Sequence, residues 1–364
     1  MQKSFALCLV VGLIAFVRAD EDPKPELKPY GFLKGDMYFS TDGLNSWGSG
    51  SIVAAARATG SDETAYALSA QHSRFGLKGS APVGNMQIGG VLELDFFSTK
   101  SLTNANANPR IRLGYAWIEL IKGLQLRFGQ QWDLFSPLNP STNNTNANLW
   151  YNGNYGFRRP QVQFRYLMDF VAVKPIVQIS VGEGAKEGET DVSPGADNLS
   201  MLPMIQGRVG LGFAESMSAG FSGFYTAFGE DQDYSANGIS VDVNLPIHDL
   251  FAFKGEFGYG GGMNHANIFT IGPPDSDIIG FWANVISKPL DFLHIIVGFA
   301  DEMNITEDLA DGQEESNLTV FGNLTFPFGK YFSIAAEYQF ISTTVKGQDA
   351  FTGGVIDIAA KISF

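Results

Sequence analysis

Cysteine is almost missing from this chain. Its one copy, Cys8, lies in an apolar stretch at the N-terminus. The sequence downstream therefore has no disulfide, no thiolate metal site and no thiol nucleophile. Long hydrophobic runs are missing as well. Beyond residue 19 nothing approaches the roughly 18 unbroken apolar residues that a membrane-crossing helix needs. Basic charge is scarce: 24 Lys and Arg face 38 Asp and Glu, for a formal charge of −14. A nucleic-acid partner, which demands a basic face, is excluded on that ground. The four histidines, His72, His248, His265 and His294, are scattered and form no HExxH pattern. No metal or cofactor is expected.

What is present begins with an export signal. Lys3 supplies a positive start, Phe5 to Phe16 an apolar core, and Val17-Arg18-Ala19 a small-residue cleavage site. Residues 1–19 are read as a signal peptide cut after Ala19. Losing Lys3 and Arg18 moves the charge from −14 to −16. Residues 20–29 (DEDPKPELKP) then read as a short periplasmic tail, and 30–364 as one domain.

Glycine (42) and phenylalanine (30) are both abundant, a pairing that soluble cores seldom need but membrane barrels do. The chain also alternates. From Ile356 to Phe364 every second residue is apolar or aromatic, with Asp357, Ala359, Lys361 and Ser363 between, which splits a strand into two faces. Met86–Ser98, Arg110–Ile121, Gln161–Phe170, Gly238–Leu245, Phe251–Tyr259, Ile279–Val285, Leu318–Phe326 and Phe332–Phe340 repeat the pattern. In 110–121, Ile111, Leu113, Tyr115 and Trp117 are assigned to one face, opposite Arg110, Arg112, Gly114 and Ala116. Weaker segments are Tyr30–Ser40, Gln71–Gly79, Val173–Val181 and Ser218–Phe228. About sixteen strands result, and only a closed barrel can place that many in lipid without a free edge.

The connectors fall into two lengths. Short ones, such as Lys122–Gly123 and Phe328–Lys330, alternate with long polar ones near 41–69, 99–109, 134–159, 183–201, 229–236, 262–277, 301–316 and 345–351. Short periplasmic turns and long outward loops sort in this way. A soluble β-sandwich also alternates, but it has no reason to sort its loops into two lengths.

Two stretches carry a family resemblance. Ser73-Arg74-Phe75-Gly76-Leu77-Lys78-Gly79 resembles the second strand of general bacterial porins. Arg127-Phe128-Gly129-Gln130-Gln131-Trp132-Asp133-Leu134-Phe135, with Ser136 to Pro140 and Gly153 to Pro160, resembles porins of the DcaP type. The resemblance implies a sixteen-stranded, homotrimeric channel in the outer membrane of a Gram-negative bacterium, with the third long loop folded into the pore. It also implies that the aromatic Phe364 addresses the barrel assembly machinery.

A barrel this wide holds water, so charge on its inner face sets selectivity. The alternation turns His72, Arg74, Lys78, Arg110, Arg112, Arg127, Arg165 and Arg208 inward. The third long loop, Leu134 to Arg159, contains no acid and seven asparagines. The candidate constriction set is Arg74, Arg110, Arg112, Arg127, Arg158, Arg159, Arg165 and Asp133. Two roles stay open for these arginines. They form a ladder for small anions such as carboxylates, with Arg112, Arg127 and Arg165 as rungs. Alternatively they pair with Glu93, Asp95 and Asp169 and only keep the wall soluble.

Other functions are weighed against this one. An adhesin or receptor barrel that uses its loops without transport is the runner-up. His72 beside Ser73 is no catalytic pair, since neighbours on a strand face opposite ways, and no catalytic residue is assigned. Seven acids between Asp301 and Glu315 miss the EF-hand spacing. They suit an outward loop sharing divalent ions with lipopolysaccharide.

Overall fold

A computed structural model of the chain describes residues 26–40, 64–97, 107–145, 148–169, 173–184, 202–213, 217–228 and 234–364. Most of them lie in strands: β1 (Glu26–Ser40), β2 (Ala65–Ser69), β3 (Arg74–Val83), β4 (Met86–Asp95), β5 (Arg110–Ile121), β6 (Leu124–Trp132), β7 (Arg158–Leu167), β8 (Val173–Gly182), β9 (Met204–Phe213), β10 (Met217–Phe228), β11 (Tyr234–His248), β12 (Phe251–Gly261), β13 (Asp277–Leu290), β14 (Leu293–Asn304), β15 (Glu314–Phe328), β16 (Phe332–Val345) and β17 (Phe351–Ser363). From β3 to β17 consecutive strands pair antiparallel, and β17 returns to β1 with Phe32 opposite Ser363. The sheet is closed. β2 and β3 both pair with β1, one along each half of it. They share one strand position, so the barrel has sixteen.

The expected strand 71–79 starts three residues late, as β3, while β2 falls in the last residues of the expected 41–69 loop, and Ala70 to Ser73 interrupt the shared position. Ser73 stitches the break: its hydroxyl accepts from the Lys34 amide at 3.0 Å and donates to the Lys34 carbonyl at 3.3 Å. At the start of the barrel, β1 begins at Glu26, opposite Ser80, inside the stretch assigned to the tail. Residues 1–25, including the expected signal, lie outside the described residues.

The faces are those of a membrane barrel. Leu33, Phe75, Leu92, Phe164, Val209 and Ile358 stand exposed outside, while Lys34, Asp36, Glu93, Asp242, Glu256 and Glu337 are buried within. A soluble protein does the reverse. Exposed Phe251, Phe292, Phe328 and Tyr331 beside the short turns, with Tyr66, Tyr225 and Tyr259 toward the other end, match interfacial girdles. At the seam, Gly31 and Phe364 exchange backbone hydrogen bonds of 3.1 and 3.0 Å, and the Phe364 ring lies 6.0 Å from that of Phe75.

One facing assignment is corrected. In β5, Glu93 lies opposite Leu113 while Leu94 lies opposite Ile111, so Arg112 is an extra, bulged residue. A bulge shifts the two-residue period by one and inverts every position beyond it. Arg110 and Arg112 face the lumen as expected. Tyr115 and Trp117 do so too, contrary to expectation: the Arg127 guanidinium sits 5.8 Å from the Tyr115 ring. Glu119, further along, bonds the lumen residue Gln125 at 2.8 Å.

The largest buried apolar cluster lies inside the barrel. It joins Phe135 and Tyr155 with Met204, Phe224 and Ile278 of the wall, and with Met263, Ile268 and Ile271. The third long loop therefore folds inward, as expected. So does the loop between β12 and β13, which the length pattern had sent outward. Its apolar residues Met263, Ile268 and Ile271 are fully buried there, and burial of such side chains outweighs its polar average. A short 3₁₀ turn, Met263–Ala266, is held between left-handed Gly262 and Asn267. The expected loop segments 41–63, 99–106, 185–201 and 229–233 lie outside the described residues.

Candidate functional site

The inward loop from Asp133 to Phe157, called the pore loop below, is fastened to the far wall by carboxylates. Glu256 accepts from Ser136 Oγ at 2.6 Å and the Leu138 amide at 2.7 Å. Glu337 accepts from the amides of Asn143 and Asn144. Asp357 accepts from Asn143 Nδ2 at 2.8 Å, and Glu302 from the Gly153 amide at 2.8 Å. Gln206 Oε1 takes the amides of Leu134 and Phe135 at 2.8 and 3.1 Å. Past Asp133 the loop carries no acid because it is the donor partner; the acids stand on β12, β14, β16 and β17. Gly153 has φ 87°, and a Cβ there would lie 2.4 Å from the Phe281 amide nitrogen, so no larger residue fits. Burial, with the Glu302 charge beside it, pushes the Tyr155 phenol well above its ordinary range.

The arginines line the other side, on β3 to β9, and they are not equivalent. Arg110 grips Asp95 with two bonds, of 3.0 and 2.8 Å. Arg112 reaches Glu93 at 2.8 Å and Asp95 at 3.2 Å. Arg74 lies 3.6 Å from Glu93, and Arg208 is bidentate to Asp242. Arg159 is spent on a clamp: it pairs with buried Asp133 at 2.8 Å and donates to the Glu183 and Ala266 carbonyls. Asp133 is held further by Gln206 Nε2 at 2.7 Å.

Three guanidiniums have no carboxylate partner among the described residues. Arg158, only 6 % exposed, is packed 4.9 Å from the Trp132 ring and 5.1 Å from that of Phe157. Its Nη1 is buried without a hydrogen bond. Arg127 bonds only the Gln125 amide oxygen, at 3.2 and 2.8 Å. Arg165, opposite Gln125, makes no hydrogen bond or ion pair among the described residues, and Glu119 acts on it only at longer range. Strand register sets them in descending order, Arg158 level with Trp132, Arg127 with Gln163, Arg165 with Gln125. Asp169, the carboxylate offered to Arg165 by the sequence, instead approaches Lys122 at 3.3 Å and Lys174 at 3.9 Å.

Cavities follow this arc. A gap of about 20 Å³ separates Arg74, Arg110, Arg112 and His72 from Thr145 and Trp150 of the pore loop. A cavity of about 370 Å³ is lined by Arg110, Arg158, Arg159 and Asn267. Another of about 160 Å³ is lined by Tyr115, Arg127, Gln163 and Arg208. His72 Nδ1 lies 3.0 Å from Asp36 and 3.1 Å from the Tyr38 hydroxyl, whereas Ser73 bonds Lys34 backbone, so the two form no nucleophile–base pair. Among the described residues no group of three or more His, Cys, Asp or Glu is placed to hold a metal.

Sequence reasoning missed the four fastening carboxylates. Their signal was available: an acid-free loop with many free amides needs acceptors, and the inner positions of β12 to β17 carry them.

No family model and no curated sequence matches the chain. Solved structures do match. The outer membrane channel DcaP of Acinetobacter baumannii aligns with TM-score 0.76 at 20% identity, over 95% of this chain and 100% of that one. The fold is the porin fold. The Salmonella typhi OmpF complex with daunomycin aligns at TM-score 0.68 and 11% identity, over 94% and 100%. The anion-selective porin from Comamonas acidovorans gives 0.62 and 10%, over 94% and 100%. The closed barrel is shared with these solved structures over nearly the whole chain.

Proposed function

We propose that this chain is an outer-membrane porin, a water-filled channel for passive diffusion of small hydrophilic solutes that favours anions such as carboxylates. The observation that carries the preference is the descending trio Arg158, Arg127 and Arg165, with no carboxylate partners, opposite a wall whose acids are occupied by loop amides. These acids are buried against the loop and point away from the passage, while guanidiniums without a carboxylate partner leave their charge uncompensated beside it. Arg112, first taken for a rung, is neutralised by Glu93 and Asp95, and Arg158 takes its place. The Comamonas protein, named as anion-selective, agrees with this reading. A homotrimer reached through a cleaved export signal completes it, as the resemblance implies.

Reversal potential across a planar bilayer under a potassium chloride gradient tests the proposal. Anion selectivity is expected, and clear cation selectivity overturns the preference. A barrel that inserts but gives no conductance steps would overturn the channel itself and favour the adhesin reading.

A further inference from the structure

The loop from Gly262 to Ser276 has a place in the lumen that the pore loop alone does not explain. It is rigid by its own bonds: Asn264 takes the Thr270 amide at 3.1 Å and returns a bond to the Thr270 carbonyl at 3.1 Å. It is tied to the pore loop through one carboxylate. Glu302 accepts the Ile271 amide with one oxygen at 2.7 Å and the Gly153 amide with the other at 2.8 Å. Arg159 adds a second tie through the Ala266 carbonyl at 3.0 Å.

From this platform Phe269 enters the aromatic group of the pore loop. Its ring centroid lies 4.9 Å from Phe157, 5.4 Å from Trp150 and 5.7 Å from Tyr151. Trp150 in turn forms one side of the narrow gap whose other side is Arg74, Arg110 and Arg112. Its indole Nε1 is buried without a hydrogen-bond partner among the described residues, so no polar bond from them holds the ring. Ring packing holds it, and Phe269 supplies part of that packing from another loop.

We infer that the Gly262–Ser276 loop is a second constriction element, and that Phe269 is a positioning residue that sets the pore width by pressing Trp150 toward the arginine side. This rests on the channel reading above and adds to it a residue that decides which solute sizes pass. A loop that merely filled space could place any apolar residue at its tip. A loop that sets width must touch a residue lining the passage, and Phe269 touches Trp150, which faces Arg74, Arg110 and Arg112 across a small gap.

The test uses the mature protein refolded in detergent and inserted in planar bilayers, with heat-modifiable gel mobility as the check of barrel closure. Phe269→Ala is expected to raise single-channel conductance by roughly 1.5-fold or more, since pore diameter governs flux. It should also admit larger neutral sugars in liposome swelling and keep the sign of the reversal potential. Trp150→Ala should widen the pore similarly, and the double variant should add little, because both substitutions remove one contact. Should Phe269→Ala fail to close, Phe269→Leu and thiol-labelled Phe269→Cys carry the same test, the latter losing current as the attached group grows. A closed Phe269→Ala barrel with wild-type conductance and size limit overturns the inference and leaves the porin reading standing. Strict additivity in the double variant overturns the route through Trp150. A wild-type barrel that never conducts removes the channel reading, and this inference falls with it.

Discussion

Replacing Arg158 with methionine isolates the charge that the structure leaves unpaired. A solute ion passing about 5 Å from a unit charge in water interacts with it by roughly 0.8 kcal/mol, cut to roughly 0.5 kcal/mol by screening at 0.1 M salt. Anions lose that attraction and cations lose the matching repulsion. The permeability ratio should then move by roughly 1 kcal/mol, about five-fold toward cations. Methionine keeps the length of the side chain against Trp132 and Phe157. It also removes a buried cation that has no carboxylate, so the melting temperature in detergent should hold or rise. Arg112→Met is the contrast. It strips a bonded cation from Glu93 and Asp95, and breaking a buried pair costs roughly 3–5 kcal/mol, so that barrel should melt earlier. Reversal potentials and thermal melts of the two variants, measured side by side, decide the matter. An unchanged ratio in Arg158→Met, or a stable Arg112→Met, refutes the division into paired and unpaired arginines.

Other consequences are as direct. Glu337→Ala orphans the amides of Asn143 and Asn144, each at about 1–3 kcal/mol; the pore loop should loosen, giving noisy current and faster amide exchange. With the bulge in β5, Tyr115→Cys should react with a water-soluble thiol reagent added to the channel while Ala116→Cys stays silent, and the opposite pattern would restore the uninterrupted alternation. Gly153→Ala forces a Cβ against Phe281 at a positive φ, so the loop tether to Glu302 should fail by about 1–3 kcal/mol, visible as a wider conductance distribution. Removing Phe364 deletes two seam hydrogen bonds with Gly31; the yield of heat-resistant barrel should drop on gels.

The barrel was legible because lipid enforces one rule everywhere, apolar outward at every second residue, and loops of two lengths mark the two ends. The failures share a cause: they depend on one residue gained or on contacts between loops. Arg112 looks like any other member of the alternation, yet as a bulge it turns Tyr115 and Trp117 around. The 262–277 loop reads as polar on average, and only its apolar positions, packed against Phe135 and Tyr155, reveal its direction. For the site, the sequence shows which arginines face inward but not which are paired. That depends on whether a carboxylate sits directly across the ladder, as Asp95 does for Arg110 and no acid does for Arg165.

The fasteners of the pore loop are mostly backbone amides meeting wall acids, with Asp133, Ser136, Asn143 and Asn152 among the side chains that share in the grip. Away from these residues and Gly153, identity along that segment is decoupled from its hold. Residues such as Thr145, which line the gap rather than supply one of these fasteners, can change under selection for new cargo while the amide contacts to Glu256, Glu302 and Glu337 keep the aperture in place.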